Sequence, residues 1–335
     1  MPAAVWGGIA LTLLAGLGSG NCLLPMKFAR RWQWENLWLV FSLVSLVVVP
    51  WALALLLAGG LGRLYASLAP AQLLVPFLFG AGWGVAQVLF GLSIARLGLA
   101  LGYAVIIGLG SLGGTLVPLI FKHGEVLATA NGALILSGLA VMVAGIAVSA
   151  HAGSRRELGQ KRVTGEGYAM ALALAILCGI LAPMINYAFA FGQDIAARAV
   201  QFGVSPVRAA FTVWPVALAG GLLPNLAYSF FLLSRNRTWS MFRGARAHDG
   251  SLAVLMGILW MGAVAVYGVA SIYLGALGTS VGWGLFQIFM IITANLAGIL
   301  TGEWSRAPAG ARRALYAGLV LLTVATALLA AGNRP

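Results

Sequence analysis

The chain has 335 residues, of which 61% are hydrophobic and only 8% are charged, and its mean hydropathy is +0.98. A soluble domain carries about 25% charged residues, so this composition excludes a water-soluble globular protein. The net charge of +13 would suit a nucleic-acid partner, but the basic residues form short clusters between apolar blocks instead of one basic face. We therefore predict an integral membrane protein that lies in the lipid bilayer and has no nucleic-acid partner.

Ten apolar blocks follow one another along the chain, each about the 20 residues that an α-helix needs to cross a bilayer. They cover residues 4–27, 35–57, 71–95, 99–121, 127–149, 167–190, 207–232, 251–275, 279–301 and 312–331. The sequence thus predicts ten transmembrane helices, called spans one to ten below.

The longest polar stretch, residues 151–166, divides the spans five and five. We predict a first five-helix repeat over residues 1–150, a cytoplasmic linker over residues 151–166 and a second five-helix repeat over residues 167–335. Four residue pairs recur between spans three and eight at one constant offset: Trp83/Trp260, Gly91/Gly268, Leu97/Leu274 and Gly98/Gly275. Because five is an odd number, the second repeat enters the membrane inverted, as in many secondary transporters. The predicted fold class is an all-α integral membrane protein of two inverted repeats.

The basic residues also predict how the chain crosses the membrane. Alternating the loops from side to side places fifteen Lys and Arg residues on one side and five on the other. The side with more basic residues faces the cytoplasm. We therefore predict a multi-pass protein of the bacterial inner (cell) membrane with both termini in the periplasm.

Polar and aromatic side chains in the middle of a span are the candidates for a binding site, because polar groups in lipid require partners. Trp283 and Gln287 are one helical turn apart, so an aromatic face and an amide lie side by side, as a sugar ring and its hydroxyl groups require. The predicted substrate-binding residues are Asn21, Gln87, Tyr103, Tyr267, Trp283 and Gln287. The alternative for each of them is a structural contact between helices.

Charged residues offer few sites for chemistry. All seven acidic residues lie at span ends or in loops. Glu35, at the start of span two, is the candidate for proton coupling, and its alternative role is an ion pair with Lys27, Arg30 or Arg306. The sequence contains no phosphate-binding loop, zinc motif or nucleophile elbow. We expect no enzymatic activity, no cofactor and no metal site.

Several segments are similar to one known family. They are Pro25–Trp38 (PMKFARRWQWENLW), Val49–Trp51, Phe79–Gly84 (FGAGWG) and Glu303–Trp304 before a basic loop. In these segments the chain resembles the L-rhamnose/proton symporter family of the drug/metabolite transporter superfamily. The resemblance implies ten helices in two inverted five-helix repeats, and import of a 6-deoxy sugar such as L-rhamnose coupled to protons.

The main hypothesis is a secondary active transporter, a monomer or homodimer, that imports a sugar with a proton or sodium ion by alternating access. The first alternative is an exporter of another small polar metabolite from the same superfamily. The second is a membrane enzyme, which would require clustered His, Asp or Glu residues that the sequence lacks. The third is a membrane sensor without transport.

Overall fold

The computed structural model describes residues 3–97, 99–156, 166–243 and 247–333. In this part of the chain all regular structure is helical, and ten helical segments are long and apolar enough to cross a membrane. Spans one to ten are Ala4–Phe28, Trp34–Leu57, Pro70–Ile94, Leu101–Ala128, Ala130–Arg156, Gly167–Gln201, Pro206–Arg235, Ala247–Tyr273, Val281–Leu300 and Ala309–Gly332. The ten predicted spans are therefore confirmed.

Four spans consist of shorter pieces. Span one is the helix Ala3–Asn21 and the 3-10 turn Leu24–Phe28; span two is Trp34–Leu43, the π-helical turn Val44–Val48 and Val49–Leu57. Span six is Glu166–Leu181, Met184–Phe191 and Gln193–Gln201; span seven is Pro206–Ala209, the 3-10 turn Ala210–Thr212 and Trp214–Arg235. The other long helices are Pro70–Leu97, Leu99–His123 with the 3-10 turn Gly124–Ala128, Ala130–Arg156, Ala247–Tyr273, Val281–Leu300 and Ala309–Gly332. Two short elements, Leu61–Ala66 and Thr238–Phe242, lie in loops.

Prolines lie at two of these interruptions. Pro25 is the second residue of the 3-10 turn after the first helix, and Pro183 lies between the helices that end at Leu181 and begin at Met184. Proline has no N–H group and clashes with the preceding turn, so it ends a helix. The interruption in span six places Asn186 in the first turn of a new helix, where its side chain bonds to neighbouring spans.

The predicted linker over residues 151–166 is described only at its two ends. Residues 151–156 belong to the helix Ala130–Arg156, and Glu166 begins the next helix. Arg155 and Arg156 lie in the last helical turn, where positive charge is favourable because of the helix dipole. The stretch therefore extends span five by six residues, and residues 157–165 lie outside the described part of the chain.

Helix packing relates the two halves in a regular way. Span five packs against span ten, span three against span seven, and span eight against span two. Span one packs against spans eight and nine, and span six against spans three and four. Exchanging each span for the one five places away converts the pair of spans five and ten into itself and every other pair into another observed pair. This pattern is consistent with two similar five-helix units.

Two of the repeated sequence positions meet at the middle of the bundle. The rings of Trp83 in span three and Trp260 in span eight are stacked, with centroids 5.1 Å apart and planes at 17°. The residue directly after Trp83, Gly84, approaches Gly221 of span seven so closely that a Cβ atom would overlap the Gly221 backbone. Small residues let helices approach in lipid, where the hydrophobic effect does not drive association. Of the repeated residues, Gly98 lies outside the described part of the chain.

The two ends of the bundle differ in charge. Because ten spans alternate in direction, the loops after spans one, three, five, seven and nine lie at one end, called the basic end below. At this end Asp249, which is 1% exposed, accepts hydrogen bonds from the backbone N–H groups of Arg30, Arg31 and Trp32 at 3.0, 2.8 and 2.9 Å. The carboxylate therefore attaches the loop after span one to the start of span eight.

Candidate functional site

Asn186 joins four segments near the end opposite to the basic end. Its Nδ2 donates to the backbone carbonyls of Gly114 in span four, at 2.9 Å, and of Thr279 in the turn before span nine, at 2.8 Å. Its Oδ1 accepts a hydrogen bond of 2.6 Å from the hydroxyl of Tyr267 in span eight. Asn186 and Tyr267 are both 1% exposed. These buried bonds link spans four, six, eight and nine at the opposite end, which is called the closed end below.

Trp283 forms a second link between spans four and nine. Its Nε1 donates to the Gly110 carbonyl at 3.1 Å, and its indole covers Gly114, where a Cβ atom would overlap Nε1. The rings of Trp283 and Tyr267 meet edge to face, with centroids 5.7 Å apart. The structure therefore brings these two predicted site residues together, with their polar groups already bonded to other helices.

Two predicted amides have no such partner. Gln287 is only 6% exposed and Gln87 is half-buried, yet neither makes a hydrogen bond with the described part of the chain. Each lies one helical turn nearer the basic end than a tryptophan on the same face, Trp283 and Trp83 respectively. Both amides are therefore suited to bind hydroxyl groups of a solute.

A cavity of about 180 Å³ lies between spans four, five and nine at the basic end. Its lining includes Tyr103, Ser149, Ile291, Asn295 and Glu303. Ile291 is one helical turn from Gln287 on the same face of span nine. The cavity thus ends one turn short of an unpartnered amide, whereas the bonds of Asn186 close the other end.

The rim of this cavity carries paired charges. Glu303 forms ion pairs with Lys27 of span one and with Arg156 at the end of span five, the latter at 3.1 Å. The hydrogen bond from Lys27, supported by the charge of Arg156, holds the pKa of Glu303 below its usual value of 4.5 despite partial desolvation. The Arg156 guanidinium also lies 4.8 Å from the ring centroid of Trp304. At neutral pH the Glu303 carboxylate is therefore ionised and links three elements.

The remaining predicted residues lie apart from the closed network. Glu35 is 4% exposed at the basic end, and its Oε1 accepts hydrogen bonds from Asn236 at 3.0 Å and Thr238 at 2.8 Å. Ion pairs of Glu35 with Lys27, Arg30 or Arg306 are not observed in the described part of the chain. Asn21 is half-buried and donates to its own helix, at the Leu17 carbonyl. Tyr103 lines the cavity, and its ring packs against Phe90.

The predicted site omitted two asparagines: Asn186, which bonds to three other segments, and Asn295, which lines the cavity. Asn186 follows Pro183 by three residues. Because a proline interrupts a helix, this spacing indicates that Asn186 lies near the start of a new helix. Asn295 follows Gln287 by eight residues, and the spacing of Trp283, Gln287 and Asn295 places all three on one face of span nine. Extending that stripe toward the basic end would have included Asn295.

Ten helical spans, with polar side chains inside the bundle and a cavity between spans four, five and nine, are typical of a multi-pass membrane transporter. Residues 1–334 match the family described as L-rhamnose-proton symport protein (RhaT). The chain therefore belongs to this family of symporters, as its sequence segments predicted, and not to a family of enzymes.

Curated relatives agree with this assignment. The L-rhamnose-proton symporter of Cronobacter sakazakii (strain ATCC BAA-894) is 30% identical over 330 residues, which cover 95% of this chain and 95% of the relative. The L-rhamnose-proton symporters of Escherichia coli O1:K1 / APEC and Shigella dysenteriae serotype 1 (strain Sd197) are each 28% identical over 95% of this chain and 96% of their own length. The similarity therefore extends through nearly the whole chain.

Proposed function

We propose that this protein is a secondary active transporter that imports a 6-deoxy sugar, L-rhamnose or a close relative, together with a proton by alternating access. Membership of the RhaT family and the activity named for its relatives support the sugar and the ion. The observation that carries the proposal is the pair of buried or half-buried amides, Gln87 and Gln287, without partners in the described part of the chain.

These residues offer the chemistry that a sugar requires. Each amide provides two donors and a carbonyl acceptor for ring hydroxyls, and an aromatic face provides an apolar surface for the ring. Gln87 and Gln287 hold the hydroxyl groups, Trp283 and Tyr267 form the aromatic wall, and Tyr103 lies on the route to the basic end. Asn21 belongs to the proposed set through its carbonyl oxygen, since its Nδ2 is bonded within its own helix.

The basic end faces the cytoplasm of the bacterial cell, and both termini face the periplasm. Residues 1–150 and 167–335 form two inverted repeats that move relative to each other around the central amides. In this orientation the bonds of Asn186 close the periplasmic end, and the cavity leads toward the cytoplasm. The structure then corresponds to the inward-facing part of the cycle, from which sugar leaves into the cell.

Glu35 is the proposed proton-coupling residue. Its carboxylate is buried and bonded only to the neutral donors Asn236 and Thr238 within the described part of the chain. Protonation of Glu35 therefore breaks no ion pair, whereas protonation of Glu303 breaks two. We expect Glu35→Gln to keep sugar counterflow and to lose accumulation driven by a pH gradient. If accumulation persists in this variant, or follows a sodium gradient instead, Glu35 is not the coupling residue.

The proposal is tested with purified protein in lipid vesicles, by counterflow and binding of L-rhamnose. Replacing Gln287 with alanine removes at least one hydrogen bond to the sugar, which is worth about 0.5–1.5 kcal/mol or roughly 3–10-fold in affinity. Thr323→Val is the matched control, because the Thr323 hydroxyl is exposed and bonds only to its own helix at Leu319. The importer proposal fails if no 6-deoxy sugar binds or exchanges, and unchanged affinity in Gln287→Ala removes that residue from the site.

A further inference from the structure

We propose that the cavity at the basic end is a second sugar-binding site, an exit vestibule in which Asn295 and Tyr103 hold the sugar after it leaves Gln287. This inference rests on the proposed function and adds a separate site to it. It assigns a ligand to a cavity of about 180 Å³ that the central amides do not line.

The geometry places two unused polar groups on this cavity. Asn295 is half-buried in span nine, and its Nδ2 donates to the Ile291 carbonyl at 2.9 Å, which leaves Oδ1 without a partner in the described part of the chain. The hydroxyl of Tyr103, on span four, is likewise without a hydrogen-bond partner among the described residues. The two side chains line the same cavity. Together they offer an acceptor and a hydroxyl that both donates and accepts.

The size and the walls of the cavity limit what it can hold. Its volume of about 180 Å³ is below the ~300–1,000 Å³ of pockets for drug-sized ligands. The occupant is therefore about the size of a single sugar ring. Ile146, Ile291 and Ala294 form an apolar wall, which suits the methyl group that distinguishes a 6-deoxy sugar from other hexoses.

The charges at the rim favour a neutral ligand. Glu303 is paired with both Lys27 and Arg156, and the Arg156 guanidinium also packs on Trp304. A sugar acid or a phosphate would have to displace Glu303 from these partners. A neutral sugar requires no such exchange, because its hydroxyl groups bind Asn295 and Tyr103.

The position along span nine makes the vestibule a step on the exit route. Asn295 lies two helical turns beyond Gln287, with Ile291 between them on the same face. A sugar released from Gln287 toward the basic end therefore passes Ile291 and meets Asn295 before it reaches the charged rim.

Cysteine labelling separates this site from the central one. Ala150 lines the cavity, so Ala150→Cys, in a chain whose Cys22 and Cys178 are replaced by alanine, reports access to it. The variant protein in lipid vesicles is labelled with a maleimide from the basic end, with and without L-rhamnose, and with sucrose as a solute too large for the cavity. We expect L-rhamnose, but not sucrose, to slow labelling at least about 3-fold.

Two further variants assign the protection to the vestibule. Protection should persist when Gln287→Ala weakens the central site, and should be lost in Asn295→Leu and reduced in Tyr103→Phe, each in protein that melts at the temperature of the parent. Two outcomes would refute the vestibule but not the proposed sugar transport. One is protection that disappears with Gln287→Ala, and the other is a labelling rate that responds to lipid composition but not to sugar. If L-rhamnose neither exchanges nor protects in any variant, the proposed function and the vestibule both fail.

Discussion

Asn186→Ala should open the end of the bundle at which the bonds of Asn186 link four spans. The substitution removes the bonds to Tyr267, Gly114 and Thr279, at 2.6, 2.9 and 2.8 Å. A buried hydrogen bond contributes about 0.5–1.5 kcal/mol net, so three contribute roughly 1.5–4.5 kcal/mol if they add. At 1.4 kcal/mol per factor of ten, the population with an open end should rise about tenfold or more.

Ser280 provides the assay for this opening. It is 1% exposed and follows Thr279 in the turn before span nine, at the closed end. Ser280→Cys, with the two native cysteines replaced by alanine, is exposed to a membrane-impermeant maleimide added on the side opposite to the basic end. The labelling rate should rise about tenfold when Asn186→Ala is added.

Asn225→Ala is the matched control. Asn225 is also a buried amide, 2% exposed, which accepts from Trp38 at 2.9 Å and donates to the Gly221 carbonyl at 2.8 Å. Its loss should lower stability by a similar amount, but its bonds join spans two and seven and do not involve the Asn186 network. The reasoning is refuted if Ser280→Cys reacts at the same rate with and without Asn186→Ala, or equally fast with Asn225→Ala.

Three further substitutions test other parts of the fold. Gly114→Ala places a Cβ atom against the Trp283 indole. We therefore expect the free energy of unfolding to fall by about 1–3 kcal/mol in denaturation experiments, and the tryptophan fluorescence to change. Gly108→Ala is the control, because its Cβ atom meets open space and should produce neither effect. The pKa of Glu303 in the folded protein lies below the ordinary glutamate pKa of 4.5. The ionised carboxylate therefore stabilises the fold at pH values above 4.5, and this stabilisation is lost as the pH falls through the pKa of the folded state. Glu303→Gln should flatten the dependence of the melting temperature on acidic pH, and an unchanged profile would contradict the ion pairs. Asp249→Asn exchanges a charged acceptor of three backbone N–H groups for a neutral one, so thermal unfolding should show a loss of roughly 1.5–3 kcal/mol, and a melting temperature equal to that of the parent would contradict this role.

Much of the fold was predictable because lipid permits few alternatives. In a bilayer each backbone polar group must be satisfied within its own segment, so a block of about 20 apolar residues forms a helix. Interruptions were predictable where a proline caused them, as at Pro25 and Pro183. The helical extension of residues 151–156 was not, because polar residues form a helix as readily as a loop once they leave the membrane.

The sequence predicted which residues form the candidate site, but not which groups they bond to. Polarity at membrane depth selected Gln87, Gln287, Tyr267 and Trp283 as unusual residues. The sequence did not reveal that Tyr267 and Trp283 use their polar groups to close one end, because their partners lie 81 and 173 residues away along the chain. Asn186 was missed for the same reason, since its three partners belong to three different segments.

The bonds at the closed end are neutral, and in the proposed alternating-access cycle they break and form again. Breaking them costs about 1.5–4.5 kcal/mol, so the sugar must bind the open state more tightly than the closed state by that amount. A broken buried ion pair would cost about 3–5 kcal/mol by itself.

The change Asn186→Leu, which keeps the side chain close in size to asparagine, separates hydrogen bonding from packing at this position. A leucine side chain neither donates nor accepts hydrogen bonds, so all three bonds are lost while the space stays filled. We expect Asn186→Leu to raise the labelling of Ser280→Cys as much as Asn186→Ala does. If Asn186→Leu labels as slowly as the parent, packing rather than hydrogen bonding closes this end.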